Sequence, residues 1–256
     1  MAKIGIDVSC HNGVIDWSKV AKQVGFAIIR AGYGKNNIDE KAVYNIMGCK
    51  NNNIPFGLYW FSYALDVEMA KAEADYICDL ADVYQPTYPI CYDWEYDSDS
   101  HAKSNNTIIN KSTRMQFAKA FLERVEERGY RAMLYTNIDY LNKGFDALRA
   151  KYPIWLAQWN TPEPSTHYDI WQYSCHGTLD GIKTKVDMNQ SKKDYSKQDE
   201  DKQKSFSDFA WNKYMKVAKE IIDGKYGNGE ERKKRLNVAG FDYELAQMIV
   251  NHNLKR

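Results

Sequence analysis

The segment Tyr88-Pro89-Ile90-Cys91-Tyr92-Asp93-Trp94-Glu95 places two carboxylates directly after a short apolar run. Such a run is typical of a strand that is buried on both faces. Side chains two positions apart on a strand lie on the same face, so Asp93 and Glu95 should point in the same direction. The segment therefore predicts a buried strand that carries a pair of acids at its carboxyl end.

Short apolar runs of this kind recur along the chain. Together with Ile90–Trp94, the predicted strands are Ile4–Val8, Phe26–Arg30, Phe56–Phe61, Arg131–Thr136, Ile154–Gln158, Asp169–Tyr173 and Lys185–Met188. Helical patterns lie between several of them, at Asp66–Tyr84 and at Thr113–Arg128, where Gly129 follows as a stop signal.

The alternation of strands and helices predicts an α/β fold. About eight strands in roughly 190 residues favour an irregular, TIM-like β/α barrel, and an open doubly wound sheet is the alternative. The last three predicted strands follow one another too closely for full helices between them. We therefore expect the end of the barrel to consist of strands joined without full helices.

Composition divides the chain into three parts. Residues 1–191 carry the predicted barrel, and residues 192–205 are charged and polar without an aliphatic side chain, which is typical of a solvated linker. Residues 206–256 predict a small bundle of three helices, separated at Gly224–Gly229 and at Ala239-Gly240. A unit of this size is expected to be marginal in stability.

The overall charge and the cysteines exclude several classes of protein. The formal net charge is +1, so we expect no nucleic-acid partner. Since no stretch of about 20 apolar residues occurs, we expect no insertion into a membrane. The 5 cysteines are scattered and odd in number, which favours free thiols.

The acidic residues fall at the ends of predicted strands. Asp7 ends the first strand, Asp93 and Glu95 end the fourth, and Asp187 lies in the last. In a β/α barrel the strand ends meet at one rim, where active sites form. Two carboxylates on one face repel, so one should be protonated and can donate a proton beside an anion. Glycoside hydrolysis requires such a pair.

Two other interpretations of Asp93 and Glu95 remain open at this point. They could be solvated acids of a loop, since Asp97 and Asp99 follow closely. Carboxylates can also bind hard cations, but the 5 histidines show no ligand spacing. We therefore expect no metal and no cofactor.

Several motifs occur in an order that resembles a known family. They are Ile6-Asp7-Val8-Ser9, Gly57-Leu58-Tyr59-Trp60-Phe61, Asp93-Trp94-Glu95, Leu134-Tyr135-Thr136-Asn137, Trp155-Leu156-Ala157-Gln158-Trp159, Trp171-Gln172-Tyr173 and Val186-Asp187. Each motif is weak alone, but their order over about residues 3–190 resembles glycoside hydrolase family 25, the N-acetylmuramidases that include many phage lysins.

The resemblance implies a lysozyme activity, the cleavage of the β-1,4 bond between N-acetylmuramic acid and N-acetylglucosamine in peptidoglycan. It implies that Glu95 is the general acid/base and that Asp93 assists, by orienting the 2-acetamido group of the substrate. The implied substrate-binding residues are Asp7, Asp187, Tyr59, Tyr135, Trp159 and Gln172. A retaining, substrate-assisted course is the expectation, and inversion by direct attack of water is the alternative.

The carboxyl-terminal part resembles a second family. Ala218 to Arg232, followed by Leu236 and by Ala239 to Tyr243, looks like the type-seven cell-wall-binding repeat of phage lysins. This resemblance implies binding to the muropeptide part of peptidoglycan, with Tyr226, Asn228 and Arg232 as candidate contacts. Because the chain has a single copy, self-association into a homo-oligomer is one expected source of avidity.

Two alternative functions are kept beside the muramidase. One is a non-catalytic cell-wall-binding protein, and the other is a hydrolase of a related N-acetylated polymer such as chitin. The amino-terminal segment Met1–Asp7 lacks the features of a signal peptide. We therefore expect a protein made in the host cytoplasm that acts at the bacterial cell wall, either as a phage endolysin released through a separate pore or as a trimmed secreted enzyme.

Overall fold

The computed structural model describes residues 2–197, 214–239, 241 and 243–254, which form two compact units. The strands are β1 (Lys3–Val8), β2 (Phe26–Tyr33), β3 (Asn37–Ile38), β4 (Phe56–Phe61), β5 (Ile90–Asp93), β6 (Ala132–Asn137), β7 (Ile154–Ala157), β8 (Ile170–Gly177) and β9 (Val186–Ser191). The helices are α1 (Trp17–Val20), α2 (Ala42–Asn51), α3 (Val67–Tyr84), α4 (Tyr96–Ser104), α5 (Lys111–Glu127), α6 (Ile138–Lys143), α7 (214–222), α8 (Gly229–Val238) and α9 (Tyr243–Leu254).

Eight of the strands close into a barrel. The ring runs β1-β2-β4-β5-β6-β7-β8-β9 and returns to β1, and the short β3 pairs with the end of β2. Neighbours from β1 through β8 are parallel, whereas β9 is antiparallel to both β8 and β1. The predicted β/α barrel is confirmed, and the open sheet is excluded because β1 pairs on both of its edges.

The end of the barrel is irregular, as the spacing of the last strands predicts. Residues 158–169 connect β7 to β8, and residues 178–185 connect β8 to β9, both without a helix. A β/α barrel normally places a helix after each strand, which keeps all strands parallel. Here the short connection reverses the chain, and β9 enters the ring in the opposite direction.

The two longest helices follow the predicted patterns with small differences at their starts. α5 begins at Lys111, two residues before the predicted start, because the Asn110 side chain accepts a hydrogen bond from the Thr113 N–H at 3.0 Å and caps the helix. The stop at Gly129 is confirmed: it has a φ of +85°, which glycine adopts without strain.

Apolar side chains fill the interior of the barrel below the carboxyl ends of its strands. The polar residues of the site lie at those carboxyl ends. Phe26 and Ile28 from β2 point into the interior together with Met133, Trp155 and Ile170 from three other strands. The interior cluster also includes Tyr195, which is 1 % exposed.

The barrel unit continues beyond its last strand. The linker was predicted to start at residue 192, but Tyr195 lies in a 3-10 turn and packs on Tyr88, with ring centroids 5.4 Å apart. The Asp194 carboxylate also pairs with the Lys3 ammonium at 2.8 Å. Residues 192–197 therefore belong to the barrel, because one aromatic ring in a polar segment is enough to anchor it. The rest of the predicted linker and the start of the third part, 198–213, lie outside the described residues.

The carboxyl-terminal unit contains the three predicted helices, α7, α8 and α9. Its apolar side chains turn inward, and those that are buried include Val217, Ala218, Ile221, Leu236, Ala246, Ile249 and Val250. The rings of Tyr214 and Phe241 meet edge to face at 5.6 Å. Among the residues described, no helix of the protein combines the length and apolar character that a membrane crossing needs.

Candidate active site

The strand directions bring the four predicted acids to one rim of the barrel. Asp7, near the end of β1, is in register with Asp187, near the start of β9. Because β9 runs antiparallel, the start of this strand reaches the same rim as the ends of the others. Burial is the largest cause that raises the pKa of Glu95 and of Asp93. The charges of Asp187 and Asp97 raise the pKa of Glu95 further, and those of Glu95 and Asp7 raise the pKa of Asp93 further. The four acids thus form one electrostatic group.

Asp93 and Glu95 come from different elements. β5 ends at Asp93, one residue earlier than predicted, and Glu95 directly precedes α4, where its N–H donates to Ser98 Oγ at 3.1 Å. The Trp94 side chain between them is buried, and its Nε1 donates to Asp99 Oδ1 at 2.9 Å. The two acids therefore do not lie on one continuous strand. Asp93 ends the strand, and Glu95 precedes the helix.

Both members of the pair resist ionisation. Asp93 is 3 % exposed, and burial is the main cause that raises its pKa well above the usual range, followed by the charges of Glu95 and Asp7. Burial also raises the pKa of Glu95, while a hydrogen bond with Tyr135 lowers it. The sequence predicts one protonated acid beside one anion. Burial penalises the charged form of both groups, and the pKa of the more deeply buried Asp93 is raised further above its usual range than that of Glu95.

The opposite side of the rim is a hydrogen-bonded network around Asp7. Its Oδ2 accepts hydrogen bonds from Gln172 Nε2 at 2.9 Å and from Asn189 Nδ2 at 2.7 Å. The Gln172 Oε1 in turn accepts from the Tyr135 hydroxyl at 3.1 Å and from Trp159 Nε1 at 3.0 Å. Burial and the nearby Asp187 raise the pKa of Asp7 well above its usual range. Four of the predicted substrate-binding residues are therefore joined through one amide.

The predicted aromatic residues differ in what they can offer to a sugar. Tyr135 is 7 % exposed and packs edge to face on Trp155 at 4.5 Å, so its ring offers little surface on which a sugar could stack. Tyr59 is half-buried and meets the same Trp155 ring at 6.0 Å. Trp159 is 43 % exposed and is the one of the three whose ring is open to the outside.

Two side chains of the site carry no role in the sequence analysis. Asn189 is fully buried and joins Asp7 to Trp155, whose Nε1 donates to Asn189 Oδ1 at 2.7 Å. Arg30 lies two residues after Ile28 on the inward face of β2, and its charge lowers the pKa of Asp93. Strand alternation could have found both, since Asn189 is also two residues from Asp187.

Arg30 is held in place by a buried partner. Its Nε donates to Asp39 Oδ2 at 2.8 Å, and the Asp39 side chain is fully buried. Asp39 also accepts from the N–H groups of Cys10 and Lys41, at 3.0 and 2.8 Å. In the described parts of the chain, no three His, Cys, Asp or Glu side chains are grouped so as to hold a metal ion.

The three candidate contacts of the carboxyl-terminal unit lie around the turn before α8. Arg232 is the central group: its guanidinium donates to Gly227 O at 2.9 Å, to Asn228 Oδ1 at 2.8 Å and to Gln247 Oε1 at 2.6 Å. Tyr226 is half-buried in the same turn, and Asn228 is exposed. Arg232 therefore has a structural role, because it connects the turn to α9.

Carboxyl groups gathered at the rim of a β/α barrel can supply the acid pair that glycoside hydrolysis requires. Residues 6–182 match the model of "Glycosyl hydrolases family 25", and residues 216–254 match the CW_7 repeat. The chain belongs to glycosyl hydrolases family 25. Both resemblances in the sequence are confirmed.

Some curated relatives match about the length of the barrel, and one matches nearly the whole of this chain. Lysozyme M1 of Streptomyces globisporus is 29 % identical over 200 residues, which are 72 % of this chain and 66 % of the relative. The lysozyme of Streptococcus phage Cp-7 is 24 % identical over 255 residues, 96 % of this chain and 68 % of the relative. The chain thus spans about two thirds of the length of these curated relatives.

A solved structure of similar fold is that of the modular autolysin LytC from Streptococcus pneumoniae. It is 27 % identical with a TM-score of 0.63, and the match covers 74 % of this chain and 46 % of the autolysin. The share of this chain that matches corresponds to the barrel unit in size, in agreement with the barrel assignment.

Proposed function

We propose that the protein is a peptidoglycan hydrolase, an N-acetylmuramidase that cleaves the β-1,4 bond between N-acetylmuramic acid and N-acetylglucosamine. The observation that carries this proposal is the group of buried acids around Asp93 and Glu95 at the rim of a family 25 barrel. The lysozymes among its relatives and the CW_7 match support peptidoglycan as the substrate.

Glu95 acts as the general acid in this mechanism. Burial raises the pKa of Glu95, which favours its protonated form, and this proton passes to the glycosidic oxygen as the bond to the anomeric carbon breaks. The resulting Glu95 carboxylate then accepts a proton from the water that attacks the anomeric carbon. Asp7 and Asp187 lie on the opposite side of the rim.

Asp93 assists by orienting the 2-acetamido group of the substrate. Its Oδ1 is buried and has no hydrogen-bond partner among the described residues, so the Asp93 carboxyl keeps unused capacity to accept a hydrogen bond. We propose that this carboxyl accepts from the acetamido N–H when the substrate is bound. The acetamido oxygen then attacks the anomeric carbon and forms an oxazolinium ion, which gives a retaining outcome. The positive charge of this ion favours ionised Asp93 despite its burial. Direct attack by water, with inversion, is the alternative.

The test is hydrolysis of purified peptidoglycan by the wild-type protein and by Glu95→Gln, with identification of the new reducing ends. We expect muramic acid ends and a loss of about 10²- to 10⁴-fold in kcat for the variant, with wall binding intact. Glu68→Gln, which changes an exposed carboxylate, is the matched control and should keep full activity. Wall binding without cleavage would support the non-catalytic alternative, and N-acetylglucosamine ends would contradict the muramidase.

We further propose that the carboxyl-terminal unit binds the muropeptide part of the wall through Tyr226, Asn228 and Arg232. Sedimentation of the full Glu95→Gln chain with cell walls tests this, because the wall is not digested. Tyr226→Ala should weaken sedimentation, whereas Tyr44→Phe, on the barrel, should not. Analytical ultracentrifugation tests the expected homo-oligomer: a purely monomeric species would remove it.

We also propose that the protein acts at the bacterial cell wall as an endolysin. The match with a phage lysozyme over both units supports this assignment. Synthesis in the cytoplasm and release through a separate pore are the route we propose. Expression in a susceptible host should then cause lysis only when a pore-forming protein is expressed as well, and lysis without it would contradict this route.

A further inference from the structure

A row of side chains leads from the proposed catalytic pair to the β2 side of the rim. Asp93 on β5 is in register with Phe61 on β4, and Phe61 is in register with Tyr33 on β2. Registered residues of parallel strands point to the same face, and neighbouring strands lie about 4.8 Å apart. A bulge between Arg30 and Gly32 shifts the alternation of β2, so Tyr33 faces inward as Arg30 does. It stands roughly 10 Å along the rim from Asp93.

Aromatic rings gather at the end of this row. Tyr63, two residues after Phe61, meets the Phe61 ring at 5.1 Å and the Tyr33 ring edge to face at 6.4 Å. Its other neighbour is the His101 ring at 4.6 Å. Tyr33 is 38 % exposed, although it belongs to a strand of the barrel. Tyr63 is half-buried beside it. Accessible ring surface with a polar edge suits a sugar, which stacks through its apolar face and hydrogen-bonds through its hydroxyls.

The rings are held in fixed positions by polar partners. The Tyr63 hydroxyl donates to Asp97 Oδ2 at 2.5 Å, and the Tyr63 N–H donates to Glu73 Oε1 at 2.9 Å. The guanidinium of Arg30 lies over the Tyr33 ring, 5.6 Å from its centroid. The surface formed by Tyr33 and Tyr63 therefore needs little reorganisation to bind a ligand, which favours affinity.

We propose that Tyr33 and Tyr63 form a sugar-binding platform that holds a pyranose unit of the glycan strand beyond the units bound at Asp93 and Glu95. The proposal rests on the proposed function, because it takes the same strand as its ligand. Tyr33 and Tyr63 supply the stacking surface, and the exposed Asp97 carboxylate accepts hydrogen bonds from sugar hydroxyls.

The platform makes the cleft longer on one side of the acids. Trp159, which follows β7, lies on the other side, because β5 and β6 separate β4 from β7 in the ring. A glycan strand that crosses the rim meets exposed rings on both sides of the cleaved bond. Binding should therefore depend on chain length beyond the units that touch the acids.

The test measures binding in the Glu95→Gln background, so that cleavage does not interfere. Isothermal titration uses peptide-free peptidoglycan glycans of four and of eight sugar units. Tyr33→Ala and Tyr63→Ala should weaken binding of the longer glycan about 3- to 10-fold, as expected for one lost ring contact, and should change binding of the shorter glycan much less. Tyr33→Phe, which keeps the ring, is the matched control and should bind as the parent does.

Tyr33→Leu provides a second variant that keeps an apolar side chain of similar bulk without a flat ring. It should lose the same affinity as Tyr33→Ala, and its thermal midpoint shows that the barrel is intact. Parental affinity of both variants for the longer glycan overturns the platform. If the wild-type chain binds these glycans but does not cleave them, the proposed function fails while the titration still decides on the platform.

Discussion

The two sides of the acid-lined cleft hold their carboxyl groups in opposite ways. On the β1 side, Asp7 accepts hydrogen bonds from two buried amides, Gln172 and Asn189. On the β5 side, one buried oxygen of Asp93 has no hydrogen-bond partner among the described residues. An unpaired buried oxygen destabilises a fold, and proteins retain such groups mainly where function needs them. The comparison supports the proposal that Asp93 takes part in the reaction, and it suggests the further proposal that Asp7 supports the site.

The largest expected effect separates the two sides by activity. Asp93→Asn should lower kcat/KM about 1000-fold, because it removes the negative charge that stabilises the oxazolinium ion. Asp7→Asn should cost about tenfold or less, since an asparagine oxygen can still accept from both amides and its NH2 group can donate to Asp187. Steady-state hydrolysis of peptidoglycan measures both. Equal losses of kcat/KM in the two variants would contradict the distinction between the Asp7 side and the Asp93 side.

The second prediction concerns the anchor beneath the reacting side. Glu73 accepts from the Tyr63 N–H and shares a 2.5 Å hydrogen bond with the Ser62 hydroxyl, and the Ser62 N–H donates to the Asp93 carbonyl at 2.8 Å. Burial raises the pKa of Glu73 from 4.5 to about 8. Glu73 is therefore a neutral carboxyl at pH 7, and glutamine can replace its hydrogen bonds.

The sign of this effect on stability follows from the raised pKa. The stability that Glu73 contributes is complete below pH 4.5 and is lost as the pH rises through about 8. Glu73→Gln should therefore be more stable than the wild type at pH 9 by about 5 kcal/mol, and equal to it near pH 4. Thermal unfolding at both pH values measures this, with Glu68→Gln as the control. A variant that is less stable at pH 9 would refute the neutral anchor.

The third prediction weakens the supporting side. Asn189→Ala removes one of the two donors to Asp7 and leaves Trp155 Nε1 without its acceptor inside the barrel. We expect a loss of about 2 kcal/mol in the free energy of unfolding, the cost of unpaired buried groups. Gln190→Ala, on the same strand with the side chain on the other face, should cost much less. Urea unfolding compares the two, and equal losses would argue against the network.

The smallest expected effect concerns Arg30. Its charge lowers the pKa of Asp93, so Arg30→Gln should raise that pKa further, and ionisation of Asp93 should then require a higher pH. The acid limb of the kcat/KM profile should move to higher pH, while Arg30→Lys, which keeps the charge, should leave it nearly in place. An unchanged limb in Arg30→Gln would mean that Asp93 does not need to be ionised for the reaction.

The sequence predicts the barrel and the meeting of its acids because strand ends can be read from short apolar runs. The sequence places Asp187 at the same rim as the other acids, but it does not show why. Asp187 reaches the rim because β9 runs antiparallel to β1, and no pattern in Val186–Ser191 reveals the direction of the strand. The greater burial of Asp93 relative to Glu95 arises from neighbouring strands, so spacing alone could not predict it.

Other parts of the site depend on contacts between distant segments. Arg30 is held by Asp39, which follows the short strand β3, and a two-residue strand leaves no clear pattern in a sequence. Asn189, in contrast, can be predicted from the sequence, because it lies two residues after Asp187 and alternate residues of a strand share a face. The charged composition of residues 192–205 hid the anchoring role of Tyr195, because composition averages over the single side chain that packs.

The reversed last strand also determines where the barrel begins and ends. Lys3 at the start of β1 is in register with Ser191 at the end of β9, so the first and last strands of the ring begin and end side by side, away from the acidic rim. The barrel is therefore suited to circular permutation, with the two ends joined by a short peptide and new termini opened in a rim-distant loop.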